Sequence, residues 1–120
     1  MLDRISTGKL GEKLARKYLA KNGYKIIARN VRYKFGELDI VAQKGGFIIF
    51  IEVKTMRKDS IYGDPGEKVN AKKLKRIQCL AELFLIKNRF SETQSWQIDV
   101  VSLELDCDIK KAKLVHRKDV

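Results

Sequence analysis

The middle of this sequence holds two carboxylates and a lysine that together could bind a metal ion and act on a phosphate group. Asp39 is followed thirteen residues later by Glu52, and Lys54 comes two residues after Glu52. Carboxylate oxygens are the ligands that Mg²⁺ prefers, and a nearby lysine can orient a water molecule or stabilise charge on a phosphate. Whether the three side chains meet depends on the strands that carry them.

A pair of glycines predicts how these strands are arranged. Gly45-Gly46 can take the positive φ angles of a tight hairpin, with strands over residues 37–43 and 47–55. If the loop has two residues, Lys44 opposes Phe47, and this pair fixes which residues of the two strands face each other further from the turn.

The predicted register brings Asp39 opposite Glu52 and Glu37 opposite Lys54, with all four side chains on one face. Opposed residues have Cβ atoms roughly 4.5 to 5.5 Å apart, so two carboxylates could share one cation. Buried ionised groups are unfavourable unless they are paired or bind a metal. The alternative is a salt-bridged cluster in which Lys54 neutralises Glu37 or Glu52. The opposite face is predicted to carry Leu38, Ile40 and Ala42, and the carboxylate face to carry Val41, Ile48 and Phe50.

Helices and strands alternate along the rest of the chain. The predicted elements are a helix capped by Thr7 and ending near Asn22, a strand over Tyr24–Val31, a loop over Arg57–Gly66, a helix over Asn70–Lys87, a strand over Trp96–Leu105 and a short edge strand over Lys113–His116. No repeat or linker interrupts them. The order αβββαβ with a fifth strand predicts an α/β fold in one domain spanning residues 1–120.

The charge distribution favours a polyanionic partner. The formal net charge is +11, from 26 basic and 15 acidic residues. Residues 1–35 hold 10 basic and 2 acidic residues, whereas residues 36–55 hold three acidic and two basic ones. An excess of positive charge of this size favours nucleic acid, because each phosphate that is neutralised releases condensed counterions. Solubility alone is the alternative explanation for the charge.

Other features of the sequence exclude several classes of protein. Cys79 and Cys107 form no CxxC pair and have no histidine at ligand spacing, so neither zinc nor a disulfide framework is expected. The longest apolar run, residues 47–51, is far below the ~20 residues that cross a bilayer. With no signal-peptide pattern after Met1, we expect a cytoplasmic protein without membrane contact.

A family resemblance extends beyond the short Asp39, Glu52-Val53-Lys54 pattern. That pattern resembles the D...(D/E)xK signature of restriction-endonuclease-like nucleases, with Leu38 where many members have proline. Over roughly residues 8–101 the chain resembles the poorly characterised YraN family. The matching segments are Gly11-Glu12, Ala15, Tyr18-Leu19, Gly23-Tyr24, Arg29-Asn30, Gly36-Glu37-Leu38-Asp39, Phe50-Ile51-Glu52-Val53-Lys54 and Lys73.

The resemblance implies a restriction-endonuclease-like αβββαβ core, a mixed central sheet flanked by helices, and kinship to Holliday-junction resolvases. It implies Mg²⁺ or Mn²⁺ as cofactor, with Asp39, Glu52 and the carbonyl of Val53 as ligands. Lys54 corresponds to the catalytic lysine. Glu12 matches an acid of the first helix that approaches the metal through water, although it could be an ordinary solvated helix charge.

The same resemblance extends to contacts with nucleic acid, which we expect to be DNA. Lys73 matches a family position on the second helix, where it would contact phosphates, assist Lys54 or belong to a solvated basic face. Lys72 and Arg76 lie beside it on that helix. Arg57 is a further candidate, displaced by Met56 from the usual family position. Kinship to resolvases also suggests a homodimer.

Three residues are expected to have no part in the reaction. Asp99 is predicted to be a structural hydrogen-bonding group, Trp96 to pack in the core and His116 to lie on the surface. Together the sequence favours a metal-dependent endonuclease acting on DNA, with branched or structured DNA among the expected substrates. The rival hypotheses are a non-catalytic nucleic-acid-binding module with the same fold, and a scaffold within a larger assembly.

Overall fold

Helices and strands follow the predicted order in the parts of the chain that the structure describes. The structure is a computed structural model, which describes residues 4–58, 70–106, 108 and 110–120. Its elements are α1 (Arg4–Lys21), β1 (Lys25–Tyr33), β2 (Gly36–Lys44), β3 (Phe47–Arg57), α2 (Ala71–Lys87), β4 (Trp96–Asp106) and β5 (Lys111–Arg117). The α/β prediction is confirmed. Most of the predicted loop over residues 57–66 lies outside the described residues.

The five strands form one mixed sheet in the order β1-β2-β3-β4-β5. The β3–β4 pair is parallel and the other neighbours are antiparallel, since α2 carries the chain across between β3 and β4. The two-residue hairpin is confirmed: Lys44 pairs with Phe47, and the ladder continues in that register to Ile40 and Ile51. This arrangement is compatible with a restriction-endonuclease-like core.

The helix ends follow local chemistry, with one exception. The side chain of Asn70 caps α2 by accepting a hydrogen bond from the Lys73 N–H, and Gly23 follows α1 with a φ of 86°. Thr7 was predicted to cap α1, which is wrong. It lies buried inside the helix, because the three residues before it contain no glycine or proline and continue the helix to Arg4. Neither helix of the described chain is long and apolar enough to cross a membrane.

A hydrophobic core lies on each side of the sheet. The α1-side core contains Ala15, Leu19, Tyr24, Ile40, Ala42, Ile49, Ile51, Val101, Leu103 and Leu105. The α2-side core contains Leu38, Val41, Ile48, Phe50, Ile77, Leu80, Ala81, Phe84, Leu85 and Ile98. Trp96 packs against the second of these, as predicted, with its ring 5.8 Å from that of Phe50.

The prediction that Leu38 shares a face with Ile40 and Ala42 is wrong. Leu38 lies on the α2 side together with Val41, so the alternation of β2 breaks around Asp39. On β1, Asn30 lies between the residues that pair with Leu38 and Ile40, and it has a φ of 51°. Asparagine tolerates this left-handed conformation, which locally changes the direction of the strand.

A buried polar network lies on the α1 side of β4 and β5. Asp99 is fully buried and accepts a hydrogen bond from His116 Nε2 at 2.7 Å, as well as bonds from Gln97 and the Asp119 N–H. Tyr18 Oη lies 2.7 Å from His116 Nδ1. Burial acts to raise the pKa of Asp99, but these hydrogen bonds hold it below its ordinary value. The structural role predicted for Asp99 is confirmed.

The surface position predicted for His116 is wrong. Its side chain is 5% exposed, with both ring nitrogens engaged in the network. The edge position of β5 suggested exposure, but α1 covers this part of the sheet and supplies Tyr18. A lone histidine near the end of a chain gives no sequence signal for such partners.

The close approach of α1 to β3 depends on Gly11. A Cβ atom at this position would overlap the Thr55 hydroxyl and lie 2.8 Å from Thr55 Cβ. Rotating the Thr55 side chain cannot relieve the second contact, so α1 would have to move. We expect Gly11→Ala to lower the free energy of unfolding by about 1–3 kcal/mol, measured by urea denaturation.

Gly8→Ala is the matched control for this substitution, because it also lies in α1 and nothing is within 4 Å of its added Cβ. Alanine is a better helix former than glycine, so Gly8→Ala should raise the stability by up to about 1 kcal/mol. Equal effects of the two substitutions would contradict the close packing at Gly11.

Candidate active site

The site lies where β2 and β3 separate. The β2–β3 ladder ends at Ile40 and Ile51, and from Glu52 onwards β3 continues alongside β4. Asp39 lies just beyond the end of the ladder, where its carboxylate accepts a hydrogen bond from the Val53 N–H at 2.9 Å. The side chain of Asp39 thus takes the place of a backbone partner at the point of divergence.

The carboxyl groups of Asp39 and Glu52 meet at this point. Burial, the negative charge of Glu52 and a hydrogen bond with Glu52 raise the pKa of Asp39 to about 7, although the Val53 N–H acts in the opposite direction. The two carboxyl groups come together as predicted, but Asp39 and Glu52 are not a paired position of the β2–β3 ladder, which ends at Ile40 and Ile51. At neutral pH the Asp39 carboxyl group is therefore close to half-protonated.

Glu12 of α1 adds a third negative charge near the pair. Its charge contributes to the raised pKa of Asp39. Glu12 Oε1 is buried and accepts no hydrogen bond from the described residues, while the Arg16 guanidinium lies 3.6 Å away. Glu12 therefore faces the site from α1 and is not an ordinary solvated helix charge.

Lys73 of α2 reaches the site from the opposite side of the sheet. Its Nζ lies 2.7 Å from Glu52 Oε1, and the Glu52 side chain is only 11% exposed. The sequence predicted a phosphate contact, assistance to Lys54 or a solvated basic face for Lys73, and it did not predict this ion pair with Glu52. The pKa of Asp39 is raised, first by burial and then by the charge of Glu52, although Lys73 lies beside Glu52.

Lys54 lies on the same face of β3 as Glu52, because strand alternation is unbroken along the β3–β4 ladder. Its register partner on β4 is Ser102, which is fully buried and whose hydroxyl has no hydrogen-bond partner among the described residues. Ser102 could not be predicted from the sequence pattern, because the parallel register of β3 and β4 is set across the intervening helix.

Comparison with known proteins places the chain in a family. The model of the uncharacterised protein family UPF0102 matches residues 11–103. The chain belongs to this family.

Relatives in UPF0102 cover most of the chain. A UPF0102 protein of Symbiobacterium thermophilum is 47% identical over 97 residues, which are 81% of this chain and 80% of the relative. One from Kosmotoga olearia is 42% identical over 113 residues, 94% of this chain and 95% of the relative. One from Dehalococcoides mccartyi is 41% identical over 113 residues, 94% and 92% of the two chains. The resemblance to YraN-like proteins is confirmed.

The other basic candidates of this UPF0102 protein lie further from the carboxylates. Arg57 ends β3 and, by alternation, lies on the opposite face from Glu52 and Lys54. Lys72 is exposed at the start of α2. Arg76, one turn after Lys73, lies close to Gly36 at the start of β2. The basic side of α2 thus extends from the carboxylates towards the β1–β2 turn.

The predicted pairing of Glu37 with Lys54 on the carboxylate face is wrong. Glu37 instead pairs with Arg32 of β1, with 3.6 Å between Arg32 Nε and Glu37 Oε2. The reason is that β2 separates from β3 before it reaches Glu37. The break in alternation at Asp39 also places the Glu37 side chain on the other face of the sheet. Glu37 is therefore a surface residue outside the site.

The donor atoms of the UPF0102 site suit a hard divalent cation. Asp39 and Glu52 offer carboxylate oxygens and Val53 a backbone carbonyl, the oxygen ligands that Mg²⁺ and Mn²⁺ accept. The described ranges contain no group of three histidine, cysteine, aspartate or glutamate side chains arranged to hold a metal. An ion would therefore keep several water ligands, as Mg²⁺ commonly does.

Proposed function

We propose that this UPF0102 protein is a metal-dependent endonuclease that hydrolyses phosphodiester bonds in DNA, with Asp39, Glu52 and Lys54 at its centre. The observation that carries the proposal is the contact between the carboxyl groups of Asp39 and Glu52 in a partly buried site, where burial and the charge of Glu52 raise the pKa of Asp39 to about 7. Such an arrangement is unfavourable in a resting fold and becomes favourable when a dication binds.

Each residue of the site has a distinct role in this proposal. Asp39, Glu52 and the Val53 carbonyl hold the metal, and the Val53 N–H fixes the Asp39 carboxylate in position. A bound Mg²⁺ or Mn²⁺ supplies an activated water and neutralises charge on the scissile phosphate. Lys54 orients the attacking water and offsets the charge that develops on the phosphoryl oxygens. Binding requires Asp39 to release its proton, so affinity for the metal should increase from pH 6 to pH 8.

The remaining groups would act on the substrate. Glu12 faces the pair from α1 and could hold a metal-bound water. Lys73, Arg76 and Lys72 of α2 offer cations to the DNA backbone. Contacts of this kind position a duplex without reading its sequence, which favours recognition of shape.

A non-catalytic nucleic-acid-binding module is the second candidate. It is favoured by the contact of Lys73 Nζ with Glu52 at 2.7 Å, because the protein itself supplies a cation to one of the two carboxylates. In that case the net charge of +11 would account for binding, and no metal would be needed.

Cleavage assays distinguish the two candidates. Plasmid, four-way-junction and single-stranded DNA would be incubated with the protein in Mg²⁺, Mn²⁺ or EDTA. We expect metal-dependent cleavage by the wild type and a loss of about 10²-fold or more for Asp39→Asn and Lys54→Ala, with little change in binding. Glu37→Gln is the control, because it changes a carboxylate on β2 outside the site. DNA binding by a wild type that cuts none of the substrates would support the binding module.

A further inference from the structure

The turn between β1 and β2 carries an aromatic side chain that the fold does not use. Phe35 is 77% exposed, and no other large hydrophobic residue of the described chain is more exposed. Turns usually hold small or polar residues, and an exposed phenylalanine contributes little to a core. A single exposed apolar residue is common on protein surfaces, so its surroundings decide whether it has a role.

Basic side chains lie beside the aromatic residues of this turn. Lys34 Nζ lies 5.7 Å from the centre of the Phe35 ring, and Lys87 Nζ of α2 lies 5.5 Å from the ring of Tyr33. Arg32 is also exposed, and its contact with Glu37 is long, at 3.6 Å. We call residues 32–35 together with Lys87 the β1–β2 tip. The tip thus combines two aromatic rings with three basic side chains.

The β1–β2 tip lies at the same end of the sheet as the carboxylates. β2 begins at Gly36, so Phe35 is four residues before Asp39, on the order of 13 Å along an extended strand. The basic side of α2 spans this interval, from Lys73 on Glu52 to Arg76 beside Gly36. A nucleic-acid backbone bound at the carboxylates would find positive charge along its path to the tip.

We propose that Phe35 stacks on an unpaired base of a nucleic acid whose backbone is held by the basic residues of the β1–β2 tip. Aromatic rings stack on any base whose face is free, whereas the bases inside an intact duplex cover each other. The position of the cut rests on the proposed function. With the cut at the carboxylates, the unpaired base lies roughly four stacked bases from the cleaved bond, at about 3.4 Å per base. The favoured substrates therefore have a single-stranded segment or gap next to the cleavage site.

An acidic membrane surface is the principal rival partner, since lysines with one aromatic ring also suit a lipid headgroup region. Nucleic acid is favoured because the positive charge of the tip continues to the carboxylates through Lys73 and Arg76. A membrane surface would make no use of this path towards a metal-binding site.

Binding in EDTA tests the proposal without cleavage. The probes are a fluorescein-labelled 30-nucleotide single strand, the same strand in a full duplex, and a duplex with a four-nucleotide gap. Phe35→Ala should weaken binding of the single-stranded and gapped probes by roughly 5- to 100-fold, and change duplex binding less than about 2-fold. Phe35→Trp should retain the wild-type affinity, because tryptophan also stacks.

Phe47→Ala is the matched control. Phe47 is 41% exposed and begins β3 at the other hairpin, at the opposite end of the sheet. It should leave binding of all three probes within about 2-fold of the wild type. An equal effect of Phe35→Ala on all probes, or no effect on any, would overturn the proposal. So would a loss of binding to phosphatidylserine vesicles in Phe35→Ala without a loss of binding to the gapped probe.

The outcomes also separate this proposal from the proposed nuclease. If the wild type cuts no DNA and Phe35→Ala loses binding only to the single-stranded and gapped probes, the results support the base contact and contradict the nuclease. Metal-dependent cleavage with unchanged binding by Phe35→Ala supports the nuclease and contradicts the base contact.

Discussion

Replacing Asp39 with asparagine is expected to make the metal-free protein more stable at pH 8, by about 2–4 kcal/mol. The folded state raises the pKa of Asp39 to about 7, whereas an unfolded aspartate titrates near 3.8. Between these values the folded state holds a proton that the unfolded state has released. Stability therefore falls as the pH rises from 4 to 7 and stays low above it, at about 1.4 kcal/mol for each unit of pKa difference.

Asparagine should avoid this loss and keep the local geometry. Its side-chain oxygen can accept the Val53 N–H bond that Asp39 now accepts, and its amide can donate to the Glu52 carboxylate. The advantage of Asp39→Asn should thus be largest at pH 8 and nearly absent at pH 4. Urea denaturation in EDTA at both values measures it.

The control and the metal dependence sharpen this prediction. Glu37→Gln, on an exposed carboxylate of the same strand, should change stability by less than about 0.5 kcal/mol at either pH. Mn²⁺ should stabilise the wild type by an amount that rises with the logarithm of its concentration above the Kd, and should have little effect on Asp39→Asn. If Asp39→Asn is less stable than the wild type at pH 8, the carboxylate pair does not destabilise the metal-free protein.

The part of the site that could be predicted from the sequence is the part built from neighbouring strands. Gly45-Gly46 sets a local hairpin, and the hairpin fixes which residues of β2 and β3 are paired. The convergence of Asp39 and Glu52 followed from this short-range geometry. The helix α2 was predictable for a similar reason, since Asn70 and a continuous apolar stripe determine its start and its buried face.

Contacts between distant elements could not be predicted from the sequence pattern. The contact of Lys73 with Glu52 depends on where α2 crosses the sheet, which no local periodicity encodes. The burial of His116 depends on α1 supplying Tyr18 across 98 residues of chain. The position of Leu38 depends on a change of strand direction near Asn30, whose positive φ cannot be inferred from alternating apolar residues.

Lys73 is expected to lower the affinity of the site for a metal ion. Lys73 supplies positive charge to a carboxylate that a divalent ion would also use, so the ammonium group and the ion compete for it. We expect Lys73→Met to bind Mn²⁺ about tenfold more tightly than the wild type. Without metal, the same variant should lose about 1–2 kcal/mol of stability at pH 8, because the poorly exposed Glu52 loses its cation.

Lys72→Met separates this competition from a general change of charge. It removes the same charge one residue away, from an exposed side chain of α2. Calorimetric titration with Mn²⁺ should give it an affinity within about 2-fold of the wild type. If Lys73→Met binds Mn²⁺ no more tightly than Lys72→Met, Lys73 does not compete for the ion. The lysine would then act with the metal, as a group that meets the substrate phosphate, and Lys73→Met should instead weaken DNA binding more than Lys72→Met does.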